Sequence, residues 1–174
     1  MKKKKLLLLG ASSDIGIETV KFFLNKNWNV TAHYNNNKKN LFKLQNNKNL
    51  KIFKFDLSKI SLFEKYIIKN NIEFKNYDAF ISLTGYMKVK KFSQIKSIDL
   101  INHINSNYVA NFLIVQKLLE KMKKKKWGRV LLASSIGTKF GGGNLTVPYS
   151  ISKYLNEFFP STYRDYYKHN ILVN

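Results

Sequence analysis

The feature that most constrains this chain is its regular alternation of short apolar runs with longer segments of helical periodicity. Leu6–Leu9 is four consecutive leucines. It is too short for a helix and lacks the alternation of a half-solvated strand, so it reads as a strand buried on both faces. A glycine turn and a helix over Ile15–Asn25 follow, then a strand at Asn29–Tyr34 and an Asn/Lys-rich loop or short helix reaching Asn49. Leu50–Phe55 predicts a third strand, Ser58–Lys69 a helix capped by Ser58, and Asp78–Leu83 a fourth strand. Ile101, Ile104, Tyr108, Val115, Leu118 and Met122 recur at three- and four-residue steps or their sums, which predicts one long helix. Arg129–Ala133 reads as a fifth strand, Pro148–Lys168 as mostly helix, and Ile171–Val173 as the opening of a sixth strand. This order implies the α/β class: a doubly wound parallel sheet with right-handed crossovers and helices on both faces. Ligands of such sheets bind beyond the carboxyl ends of the strands, where the strand order switches. With 174 residues and no internal repeat or linker, the chain suits one domain, 1–174.

Composition removes several classes of function. There is no cysteine, so there is no disulfide framework, thiolate nucleophile or cysteine metal site, and a reducing cytoplasm is the compatible compartment. His33, His103 and His169 are too scattered for a metal-ligand motif. Met1–Leu9 imitates the start of a signal peptide, but four leucines fall short of the roughly 7–15 apolar residues of an h-region. No stretch approaches the roughly 20 needed to span a membrane, and a soluble protein is expected. The net charge of +21 invites a nucleic-acid or membrane reading. Nearly all of it is lysine, with Arg129 and Arg164 the only arginines, amid abundant Asn, Ile, Phe and Tyr. That profile fits an AT-rich genome and solvated lysine faces better than phosphate recognition, where arginine is favoured. The lysines at 121–126 complement a helix C-terminus. Neither a G-x-S-x-G elbow nor a Walker-type lysine loop is present.

Three groups of residues could carry chemistry. Gly10-Ala11-Ser12-Ser13-Asp14-Ile15-Gly16 lies between the first strand and the first helix, where small residues allow a tight turn and close approach to a pyrophosphate. Asp14 would repel a pyrophosphate, and is expected to cap the helix and point away. Asp56, just after the third strand, can accept from an adenine amino group or serve as a plain turn residue. Tyr149 and Lys153 lie four apart on one helix face, with Ser135 upstream. A free phenol titrates near about 10, and a neighbouring ammonium favours the phenolate, bringing such a group toward use as a general acid or base.

Taken together, Gly10–Gly16, Asp56-Leu57-Ser58, Asn107, Gly128-Arg129 leading to Ser134-Ser135, Tyr149–Lys153 and Asn170–Asn174 resemble the short-chain dehydrogenases/reductases in order and spacing, over essentially the whole chain. The resemblance implies a Rossmann-like fold and hydride transfer between a nicotinamide cofactor and a carbonyl or secondary alcohol. It implies Tyr149 as acid/base, Lys153 beside it holding the nicotinamide ribose, Ser135 orienting the carbonyl oxygen with Ser134 one register away, and Asn107 anchoring a water relay behind Lys153. It places the cofactor on Gly10, Ser12, Ser13, Ile15, Gly16, Tyr34, Asp56, Leu57, Thr84 and Gly85, with Tyr149 and Lys153.

The chain also departs from the family pattern. Asp14 replaces a glycine, tolerable if its backbone keeps negative φ. The usual Asn-Asn-Ala-Gly reads Ser82-Leu83-Thr84-Gly85, and Pro160 is expected to kink the last helix. A usual member continues for roughly a further third with a substrate-covering segment, so a truncated product or a fragment is expected. The run His33-Tyr34-Asn35-Asn36-Asn37-Lys38-Lys39 lacks the carboxylate that accepts from a ribose 2′-hydroxyl, which favours NADP over NAD, with Lys38 and Lys39 reading a 2′-phosphate. Three functions stay open: a carbonyl reductase or alcohol dehydrogenase, a 3-oxoacyl-carrier-protein reductase docking its acidic carrier near Lys124–Arg129, and a non-catalytic cofactor-binding or assembly protein. Apolar and aromatic residues on more than one face of the helices around Asn102–Met122 and Tyr149–Tyr167 imply a homodimer or homotetramer, as in the family.

Overall fold

The four leucines of the first strand, β1 (Lys5–Leu9), are fully buried, and they divide between two cores as the pleat requires. Leu6 and Leu8 join one cluster with Ile17, Val20 and Val30, while Leu7 and Leu9 join another with Phe63, Phe80, Ile114 and Leu118. A strand buried on both faces sits in mid-sheet, and β1 pairs in parallel with both β2 (Asn29–Tyr34) and β4 (Ala79–Ser82). The computed structural model describes residues 3–174, so the first two residues of the Met1–Leu9 run lie outside the described residues. β3 (Leu50–Lys54), β5 (Gly128–Leu132) and β6 (Ile171–Val173) complete a six-stranded parallel sheet of order β3-β2-β1-β4-β5-β6. The order reverses at β1 and β4, which opens a crevice above their carboxyl ends.

Helices α1 (Asp14–Asn25) and α2 (Lys39–Phe42) accompany the first half of the sheet, and α3 (Ile60–Lys69) and α4 (Asn71–Phe74) lead into β4. The connection from β4 to β5 carries α5 (Ser97–Ile104) and α6 (Ala110–Lys125), and that from β5 to β6 carries α7 (Gly137–Phe140), α8 (Gly143–Tyr154) and α9 (Phe158–Thr162). The lysine-rich end of α6 closes with Lys126 in the left-handed region.

Several local expectations change. Ser13, not Asp14, caps α1: its hydroxyl accepts from Gly16 N at 3.1 Å, while Asp14 is the first helical residue, where its charge complements the helix dipole. Asp14 is not among the positive-φ residues, so the lost glycine is tolerated. Ser58 does not cap α3, which begins at Ile60, because its amide and hydroxyl both turn to Asp56 Oδ1 at 3.0 and 2.7 Å. The single long helix around Ile101–Met122 contains a π-helical turn at Asn105–Val109 between α5 and α6. The extra residue in that turn resets the phase, so Val115, Leu118 and Met122 are fully buried while Ile101 faces outward. The Pro148–Lys168 segment is also interrupted. A 3₁₀ turn at Leu155–Glu157 follows α8, and Pro160 sits in the first turn of α9, where its missing N–H costs least.

Candidate active site

A cleft of about 440 Å³ opens above the carboxyl ends of β1, β2 and β4. From the predicted set it is lined by Gly10, Ser12, Ser13, Asp56, Leu57, Thr84 and Gly85, and also by His33, Asn35–Asn37, Leu83, Tyr86 and Ser106. Two glycines make the turn beneath it. Gly10 has φ +72°, and a Cβ there would stand 2.8 Å from the Leu83 carbonyl group; a Cβ on Gly16 would stand 2.6 Å from Gly10 O. The turn is therefore pressed between β4 and the start of α1. Gly85 differs, since a Cβ there meets nothing within 4 Å, so its small size leaves open space in the cleft itself. A turn at the start of a twelve-residue helix, open room at Gly85 and the hydroxyl of Ser12 form a cradle that fits a dinucleotide phosphate, while the Ser13 hydroxyl is spent within the turn, donating to Gly10 O at 2.9 Å.

His33 ties this turn down. Its Nε2–H donates to Phe55 O at 2.9 Å, which leaves Nδ1 to accept from Gly10 N at 3.3 Å. The ring is buried, and that burial holds its pKa down at about 4, so the neutral form that can accept from Gly10 persists. The sequence set His33 aside as a metal ligand and counted it in the run that favours NADP, without a role in the turn; a polar residue next to the end of the second strand was the available signal.

Five residues expected at the cofactor fall outside the cleft lining: Ile15, Gly16, Tyr34, Tyr149 and Lys153. Tyr34 packs into the core edge-on to Phe42, because alternation along β2 turns it away from the cleft. Gly16 is buried beneath the turn, and Ile15 is exposed on α1 rather than in the cleft lining. Lys38 and Lys39 do not line the cleft either; Lys38 Nζ lies 5.0 Å from the centre of the Phe42 ring. The cleft wall at the end of β2 is formed by the carboxamides Asn35, Asn36 and Asn37.

The second half of the site hangs on Lys153. Its Nζ donates to Thr84 O at 2.5 Å and to Ala133 O at 2.8 Å, bridging the ends of β4 and β5 beside the cleft. The side chain is buried, and the loss of solvation pushes its pKa down to about 8. The Tyr149 ring stands one helical turn away, its centroid 5.8 Å from that nitrogen. Ser135 Oγ accepts from Gly137 N at 3.2 Å, which leaves its own O–H to donate. Ser134 is exposed and donates to Glu157 Oε1 at 2.7 Å.

Asn107 stands on the π-helical turn, a common device for re-aiming a functional side chain. Its Oδ1 accepts from Tyr86 N and its Nδ2 donates to Tyr86 O, both at 2.9 Å, which fixes the strap leaving Gly85. Nδ2 also donates to Ser152 Oγ at 2.9 Å, and Ser152 in turn donates to Tyr149 O at 2.7 Å. The Asn107 backbone carbonyl accepts from the side chains of Asn111 and Asn156. Among the described residues no group of three or more His, Asp or Glu could hold a metal ion, and no helix is long and apolar enough to cross a membrane.

The family model for short chain dehydrogenases matches residues 4–174. The chain belongs to that family. Among curated relatives, a 3-oxoacyl-[acyl-carrier-protein] reductase of Aquifex aeolicus is 32% identical over 98 residues, 56% of this chain and 39% of that protein. A 3-amino-tetrahydro-pyrrolizinone reductase of Xenorhabdus hominickii is 26% identical over 176 residues, 98% of this chain and 58% of that protein. The chain thus spans less than two thirds of the length of either relative. Among solved structures, 4-hydroxyisoleucine dehydrogenase complexed with NADH superimposes with a TM-score of 0.86 at 23% identity, covering 99% of this chain and 71% of that one. ElxO with NADP bound gives 0.80 at 20%, covering 99% and 72%. At these identities the likeness establishes the fold.

Proposed function

We propose that the chain is an NAD(P)-dependent oxidoreductase that transfers hydride between a nicotinamide cofactor and a carbonyl or secondary alcohol, with Tyr149 as the acid/base. The observation that carries this reading is Lys153: a buried amine pinned to Ala133 O and to the carbonyl of Thr84, a residue of the cleft lining, with the Tyr149 ring beside it. Gly10, Ser12 and Ser13 would hold the cofactor phosphates, Asp56 and Leu57 the adenine end, and Thr84 and Gly85 the middle of the dinucleotide. The bound nicotinamide supplies or accepts the hydride. In reduction Tyr149 gives its phenolic proton to the carbonyl oxygen while the Lys153 ammonium favours the negative charge left on the phenol oxygen. Ser135 donates to the same carbonyl oxygen and orients it; Ser134, tied to Glu157, is the weaker candidate. Asn107 braces Tyr86 and Ser152 around the pair.

The absence of a carboxylate among Asn35–Asn37 supports NADP over NAD, with carboxamides in place of lysines as the groups nearest a 2′-phosphate. The substrate is a small carbonyl compound or alcohol. The 3-oxoacyl-carrier-protein alternative draws support from the name of the Aquifex relative. Its docking surface must move, however: Lys124–Arg129 ends α6 and begins β5, whereas Ser135 follows the far end of that strand. The test is Tyr149→Phe. Turnover of a ketone panel should fall by at least about 100-fold, with NADPH affinity, read by fluorescence titration, within a factor of about two. A variant that keeps wild-type turnover overturns the assignment, and equal affinity for NADPH and NADH overturns the cofactor preference.

A further inference from the structure

Three consecutive residues carry the chain from the end of β5 to the reacting groups. Ala133 N–H donates to Ser82 O at 2.9 Å, and Ala133 O accepts from Lys153 Nζ at 2.8 Å. Ser135 Oγ accepts from Gly137 N at 3.2 Å, and Ser135 O accepts from the Thr138 hydroxyl at 2.8 Å. Between them, the backbone of Ser134 has no hydrogen-bond partner among the described residues. The ladder to β6 reaches only as far as Leu132, whose N–H donates to Asn174 O at 2.8 Å. A strand end past its last ladder bonds frays, because nothing offsets the entropy of its free dihedrals. Here a side chain holds it: the Ser134 hydroxyl donates to Glu157 Oε1 at 2.7 Å.

Glu157 follows Lys153 by four residues, about one helical turn, at the end of the 3₁₀ turn Leu155–Glu157. One stretch of backbone therefore holds two neighbours at the end of β5: Lys153 takes Ala133, and Glu157 takes Ser134. Glu157 is the only acid between Glu120 and Asp165, in a chain with 31 lysines and arginines. Elsewhere Glu18, Glu73, Asp78 and Asp99 each hold a lysine. Glu157 forms no ion pair among the described residues. It spends an oxygen on a neutral hydroxyl instead, at the length of a charge-assisted bond. The Lys153 pKa is moved by burial and not by a neighbouring carboxylate, so Glu157 bears on the amine through position and not through charge.

We propose that Glu157 is a positioning residue that acts through Ser134: it fixes the end of β5, so that Ala133 O stays on Lys153 and the Ser135 hydroxyl stays aimed at the substrate carbonyl. The proposal rests on the reading of Tyr149, Lys153 and Ser135 as the reacting groups. Glu157 serves as a hydrogen-bond acceptor. A glutamine there keeps an accepting oxygen, and an alanine does not.

Ketone reduction by Glu157→Ala, Glu157→Gln, Ser134→Ala and the Ser134→Ala/Glu157→Ala pair decides it. Both side chains are exposed, so the variants leave the core intact. Neither residue lines the cleft, so Glu157→Ala should lower kcat by about 10-fold and keep NADPH affinity within a factor of about two. Ser134→Ala should cost the same, and the double variant no more than either single one, as for two halves of one contact. Glu157→Gln should keep the wild-type kcat with an unshifted pH profile. Wild-type kcat in Glu157→Ala overturns the proposal. So does a glutamine variant as slow as the alanine one, or a shifted profile, since the charge is then what acts. A Ser134→Ala far slower than Glu157→Ala overturns it too, by putting Ser134 itself on the carbonyl. A second readout needs no turnover. Amide exchange at Gly137, whose N–H donates to Ser135 Oγ, should quicken at least about 10-fold in Glu157→Ala and stay at the wild-type rate in Glu157→Gln when followed by NMR. Equal exchange in all three proteins overturns the hold on β5. If no ketone is reduced, the oxidoreductase reading falls, while the exchange rates still decide whether Glu157 holds the strand end.

Discussion

Replacing Lys153 with methionine separates two opposed effects of burying an amine. The side chains are similar in length, so the variant removes the charge and its donors with little change in volume. At pH 7 the wild type bears the cost of a desolvated ammonium, whose pKa falls from 10.5 to about 8 on folding. A shift of that size corresponds to about 3 kcal/mol. The variant escapes that cost but leaves Thr84 O and Ala133 O without donors, at roughly 1–3 kcal/mol each, and that loss does not depend on pH. The pH dependence therefore isolates the desolvation. Below pH 8 folded and unfolded chains both hold the proton, and the cost is fully present. Between pH 8 and 10.5 the folded chain has released it while the unfolded chain keeps it, so stability rises with pH. From pH 7 to pH 9.5 the wild type should gain about 2 kcal/mol relative to Lys153→Met. Urea unfolding, followed by the fluorescence of Trp28 and Trp127 and run at high salt to screen the other lysines, reads that difference. A gap that stays constant between the two pH values would mean that the two carbonyls compensate the ammonium in full, and would refute the reasoning.

Three further outcomes follow from the geometry. Gly16→Ala drives a methyl to 2.6 Å from Gly10 O, so thermal unfolding should show a loss of about 1–3 kcal/mol, and dinucleotide binding should weaken in titration because the turn is displaced. His33 has a folded pKa of about 4 against an ordinary 6.5. Its stabilising contribution is complete above pH 6.5 and disappears as pH falls through 4, so the wild type should lose about 3 kcal/mol over that window; His33→Gln should lose clearly less in urea titrations at the two limits. Ile136, Phe140, Ile151, Tyr154 and Phe158 are all exposed around α7 and α8, which supports the proposed homo-oligomer, and light scattering should give at least twice the monomer mass of 20.4 kDa.

The sequence by itself determined the architecture and the identity of the chemical groups. Four leucines in a row, too few for a helix and without alternation, read as a doubly buried strand, and strands alternating with helices leave a parallel sheet as the stable layered solution. The spacing of Tyr149 and Lys153 likewise settles that they share a helix face, because 3.6 residues per turn is a local rule. What the tertiary structure decided is where those groups find partners. No local pattern says that Asp56 draws Ser58 away from α3, or that Tyr34 turns into the core and passes the cleft wall to Asn35–Asn37. Nor does it say that Lys153 ends on two carbonyls from different strands, one of them 69 residues away. The clearest case is Asn107. Its place in the chain was legible, but not that its carbonyl accepts from the side chains of Asn111 and of Asn156, 49 residues further on. Helix periodicity is fixed by bonds between near neighbours, whereas the saturation of a buried carbonyl depends on which side chains the folded chain brings to it.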